Sequence, residues 1–94
     1  MSDRDKFFID AMVHALRTNA HARHLYFPTD KQQRREGSLK LGRAIGFGLS
    51  VDADLGTLYS RLVVTFSFDR TGVCVDNKEF LGAVREGMAK AREA

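Results

Sequence analysis

The stretch Leu39-Lys40-Leu41-Gly42-Arg43-Ala44-Ile45-Gly46-Phe47-Gly48-Leu49-Ser50-Val51-Asp52-Ala53 decides how the fold is read. Its odd positions are Leu39, Leu41, Arg43, Ile45, Phe47, Leu49, Val51 and Ala53, which are large and apolar apart from Arg43 and the closing Ala53. Its even positions, Lys40, Gly42, Ala44, Gly46, Gly48, Ser50 and Asp52, are small or polar. Period two is the signature of a strand with one buried face. Leu41, Ile45 and Leu49 also recur at helical spacing, so the glycines have to arbitrate. Gly42, Gly46 and Gly48 inside a helix would each cost about 1 kcal/mol relative to Ala. On a strand face the same glycines permit a bend or the close approach of another backbone. The reading therefore favours a long first strand over residues 39–53.

A second strand follows over residues 58–68. Leu58, Leu62, Val64, Phe66 and Phe68 are apolar, and Tyr59, Arg61, Thr65 and Ser67 alternate with them. Asp52-Ala53-Asp54-Leu55-Gly56 carries turn chemistry between the two strands. Asp69-Arg70-Thr71-Gly72 suits a type I turn. Val73-Cys74-Val75 then reads as a short third strand, with Cys74 as a small hydrophobe.

Helices flank this hairpin region. Phe8, Ile9, Met12, Val13, Leu16 and Ala20 form one apolar stripe, which predicts a helix from about Asp3 to about Arg23. Ser2 is a cap candidate, and Asp3 and Asp5 suit the positive end of the helix dipole. Leu25-Tyr26-Phe27 ends at Pro28, the only proline, which requires the helix to be over by Phe27. Near the other end, Asp76 and Glu79 make a capping pair. Phe80, Val84, Met88 and Ala91 are the apolar stripe of a helix over residues 77–93. Ala83, Gly87 and Ala91 form a row of small side chains at its edge, where another element can approach closely. Between the first helix and the hairpin, Asp30 can cap a turn or two of helix ended by Gly37, or the polar stretch is a loop. The expected fold is a single α+β domain over residues 1–94. In it a three-stranded antiparallel β-meander carries an N-terminal and a C-terminal helix packed on one face (α-β-β-β-α), with Phe47 and Phe66 in the core.

Composition bounds the function classes. The chain has 94 residues, 44% of them hydrophobic and 29% charged, which suits one soluble globular domain. Lys and Arg exceed Asp and Glu by three and the pI is about 9.4, a mildly basic balance that permits an anionic partner without requiring one. One cysteine excludes an internal disulfide and a Cys-based zinc site. With no signal-peptide pattern at the N-terminus and no apolar run long enough for a membrane span, a cytoplasmic location is expected.

Few residues carry chemistry. His14, His21 and His24 share the polar face of the first helix with Asp10. His14 and His21 are seven residues apart, about 10 Å along a helix, too far for one site. A catalytic zinc needs three protein ligands, so neither a metal nor another cofactor is expected. Lys31, Arg34, Arg35, Lys40 and Arg43 fall within thirteen residues and form a candidate anion or nucleic-acid contact. Gly42-Arg43-Ala44-Ile45-Gly46-Phe47-Gly48 lacks the Lys-Ser/Thr of a phosphate loop. Gly42, Ala44, Gly46 and Gly48 instead line one strand face as a smooth strip for self-association. No paired carboxylates or Ser-His-Asp arrangement stands out, so the chain is read as a non-enzyme. Two function classes follow. One is a protein–protein interaction module, a homodimer that binds and modulates a larger protein partner as an accessory or inhibitor. The other is a binder of nucleic acid or a nucleotide through Lys31–Arg43.

Overall fold

Residues 31–48 form a continuous helix, which replaces the first strand and its meander with a helical architecture. A computed structural model describes residues 3–26, 28, 30–56 and 75–93. Among these residues there are four helices and no strand: α1 (Asp3–Thr18), α2 (Ala20–Tyr26), α3 (Lys31–Gly48) and α4 (Asn77–Glu93). The predicted second strand at 58–68, the turn at 69–72, Cys74 and Phe66 lie outside the described residues. No helix among the described residues is long and apolar enough to cross a membrane.

The α+β expectation fails at the glycines, for a physical reason that lies in α4. Helical spacing puts Gly42 and Gly46 on one face of α3, and that face lies against α4. A Cβ built on Gly46 would run into the Val84 carbonyl, and its next contact, the Met88 nitrogen, is only 2.9 Å away. A Cβ on Gly42 would sit 2.8 Å from the Cβ of Ala83 and 3.2 Å from the Phe80 carbonyl oxygen. From the other side, a Cβ on Gly87 would strike the Arg43 carbonyl and approach the Phe47 nitrogen to 2.9 Å. Gly42 thus faces Ala83, Gly46 faces the backbone of Val84 and Met88, and Gly87 faces the backbone of Arg43 and Phe47. The helix-propensity cost of the glycines is offset by backbone approach that a side chain would prevent. The small row foreseen on α4 meets α3 at Ala83 and Gly87.

The core follows from the same period. Leu41 and Ile45 of α3, and Leu49 at its C-cap, are buried with Phe80, Leu81, Val84 and Met88 of α4. Ile9, Val13 and Leu16, one stripe of α1, close over them, with Phe8 and Met12 packed at the margin. Phe47 is the exception to the expected core: it is 57% exposed, because two residues along a helix is more than half a turn away from Ile45 and Leu49.

Caps set the helix boundaries. Asp30 Oδ1 accepts the backbone N–H of Gln32 at 2.9 Å, and α3 runs on through Gly37. Gly37 is buried where a Cβ would meet the Tyr26 carbonyl, so α2 and α3 also touch at a glycine. Asp76 Oδ1 accepts the Glu79 N–H at 2.8 Å and starts α4 at the residue expected. The predicted first helix is broken at Asn19, whose Oδ1 accepts from His21 N at 2.9 Å and restarts the chain as α2. That second helix ends at Tyr26, ahead of Pro28.

Candidate functional site

The five basic residues all map to α3, and helical geometry spreads them around it. Lys31 is its first residue. Arg34 turns back to donate its Nε–H to the Pro28 carbonyl at 3.2 Å. Arg35 reaches α4 and clasps Glu79 with two nitrogens, at 2.7 and 3.1 Å. That paired hydrogen bond, reinforced by the opposite charge, holds the Arg35 guanidinium above its ordinary pKa. Arg43 is half-buried, with one guanidinium nitrogen 4.0 Å from a Glu86 carboxylate oxygen. Lys40 is exposed and borders a cleft of about 370 Å³ with His24, Leu25, Gln33 and Glu36. Arg34, Arg35 and Arg43 are therefore engaged within the chain. Two of them join α3 to α4.

Gly42, Ala44, Gly46 and Gly48 do not share a face. Steps of two residues align along a strand and diverge around a helix. Gly42 and Gly46 are buried against α4, whereas Ala44 is half-buried elsewhere on α3. Gly48 lies under the ring of Phe8, which a Cβ there would strike. The strip read from the strand pattern is divided between a helix–helix contact and an aromatic seat.

The end of the molecule around Gly48 holds a feature that sequence reasoning missed. Asp5, expected to favour the helix dipole at an exposed terminus, is only 1% exposed. Its Oδ1 accepts the Ser50 N–H at 2.9 Å and its Oδ2 accepts the Ser50 hydroxyl at 2.6 Å. The first turn of α1 is thereby tied to the residues just after α3. A 45-residue separation hides such a pair from local patterns. Three residues next in sequence to these contacts carry exposed apolar side chains. Phe7 is 75% exposed and adjoins Phe8; Phe47 adjoins Gly48; Val51, 56% exposed, adjoins Ser50. The fourth large exposed apolar side chain among the described residues, Leu25, belongs to α2.

His14 on α1 and His21 and His24 on α2 are exposed. Among the described residues no group of three or more His, Cys, Asp or Glu is placed to hold a metal ion. Comparison of the chain with protein-family models, with curated proteins and with solved structures finds no match.

Proposed function

We propose that the chain is a non-enzymatic protein–protein interaction module that self-associates through the apolar end formed by Phe7, Phe47 and Val51. The observation that supports this reading is that Phe7, Phe47 and Val51, large apolar side chains next in sequence to residues of the Phe8–Gly48 contact and the Asp5–Ser50 joint, are all exposed. Apolar side chains scattered singly need no partner, whereas a group of them rimmed by polar residues favours an interface. A second copy of the chain is the occupant, since twofold self-pairing is the commonest closed assembly and a small domain gains most from added burial. In this reading the dimer is the unit that binds and modulates a larger protein.

Sedimentation equilibrium across the micromolar range tests it. The wild type should show twice the chain mass of 10.6 kDa. Phe47→Asp should run as a monomer with unchanged helical content, because the Phe47 side chain is not part of the core. A wild-type monomer, or a Phe47→Asp dimer as tight as the wild type, contradicts the proposal.

Binding of nucleic acid or a nucleotide through Lys31–Arg43 draws less support. Arg34, Arg35 and Arg43 already have partners in the chain: Arg34 turns back to Pro28, while Arg35 and Arg43 reach acids of α4.

A further inference from the structure

α4 presents Arg85, Met88, Ala89 and Arg92 at spacings of three, four and seven, which places them along one helix face. The segment that follows α3 stands opposite them. Together with Ala53, Asp54, Leu55 and Gly56 they enclose a cleft of about 490 Å³. That volume falls within the roughly 300–1,000 Å³ of small-molecule sites.

The lining is divided by chemistry. Met88 is buried, and Ala53 and Leu55 pack against the same core, so the floor is the apolar edge of the molecule's interior. The two arginines stand at the rim, about 10 Å apart along the helix axis at 1.5 Å per residue. Arg92 is held in place: its guanidinium donates to the Val51 carbonyl at 2.6 Å. A guanidinium carries five N–H donors, so that bond leaves most of them for a ligand. Arg85 is exposed on the same face. Among the described lining residues Asp54 is the one carboxylate, and its Oδ1 accepts the Gly56 N–H at 3.0 Å.

We propose that this cleft binds a small amphiphilic anion, a carboxylate with a short apolar body. Its charged group is taken by Arg85 and Arg92, and its apolar part lies on Met88, Leu55 and Ala53. The planar fork of arginine matches a carboxylate in two-point contact, and the apolar floor beneath it selects against small hydrophilic anions. The site shares one contact with the self-association reading, the Val51 carbonyl that holds Arg92, but it uses none of the Phe7, Phe47 or Val51 side chains.

The test is a titration of the full chain with sodium octanoate, with methyl-labelled methionine read by NMR. Met88 reports on the cleft, and Met12 on α1 is the internal control. The Met88 methyl signal should shift and saturate while Met12 stays still. The neutral 1-octanol should bind several-fold more weakly than octanoate. The double variant Arg85→Ala/Arg92→Ala should lose about fivefold or more in octanoate affinity, as expected for two partly exposed charge contacts. Its thermal midpoint shows whether the fold is kept. Both residues are exposed, so it should be, and Arg85→Gln alone serves as a milder variant. The proposal is overturned by an unmoved Met88 signal, by equal binding of octanol and octanoate, by undiminished affinity in a folded double variant, or by Met88 and Met12 shifting together.

Discussion

A methyl group on Gly46 would strike the Val84 carbonyl, whereas one on Gly82 would meet nothing within 4 Å. Both glycines are helical, with no positive φ at any described glycine, so alanine fits either backbone. The two positions therefore separate packing from propensity. Gly82→Ala should stabilise the protein by about 0.5–1 kcal/mol, through helix propensity and a less flexible unfolded chain. Gly46→Ala gains the same propensity but forces the α3–α4 pair apart, and should destabilise by about 1–3 kcal/mol net. Urea denaturation of the two variants beside the wild type checks both. Equal effects of the same sign would mean that Gly46 does not sit in a tight contact. Asp5 makes a second claim at this scale. Asp5→Ala removes both acceptors of Ser50 and should cost about 1–3 kcal/mol by the same measurement. An unchanged midpoint would contradict the buried joint.

At the scale of elements, the chain divides into parts whose cues are local and parts whose cues are not. The C-terminal helix was legible to the residue, because Asp76, Glu79 and the apolar stripe from Phe80 to Met88 all lie within it. The N-terminal helix was legible as an apolar stripe, but the break at Asn19 was not, since Asn19 acts as a cap only once the chain has turned there. The stretch 39–48 was misread. Two periodicities coexist in it, and the glycines favour the strand both by their intrinsic helix cost and by the close approach they permit on a strand face. What reverses that weight is α4, some forty residues away, whose Ala83 side chain meets Gly42 and whose Val84 and Met88 backbone meets Gly46. The Leu41, Ile45 and Leu49 spacing carried the correct answer, and all three are buried. The basic cluster suffered likewise. Its residues are adjacent in sequence, but α3 turns Arg35 and Arg43 toward acids of α4 and Arg34 back toward Pro28. The Arg35–Glu79 clasp is at the surface, so its contribution should fall as salt rises. A Glu79→Gln variant should therefore differ from the wild type less at 1 M NaCl than at low salt, as followed by thermal melting.

For the molecule as a whole, the account rests on one structural proposition: α3 and α4 are helices in backbone contact through Gly42, Gly46 and Gly87, with α1 closing over the core they share. The exposure of Phe47, the division of the glycine strip and the cleft beside Arg85 and Arg92 all depend on it. A sheet over residues 39–53 would place Phe47 inside and the glycines together on an open face. The most direct measurement is a set of proton–proton NOEs from the Gly46 α protons in the labelled full chain. The account predicts strong NOEs from them to the backbone of Val84 through Met88, together with helical contacts to residues three positions along α3. Cross-strand NOEs from Gly46 to residues 58–68, with none to Val84 through Met88, would contradict it.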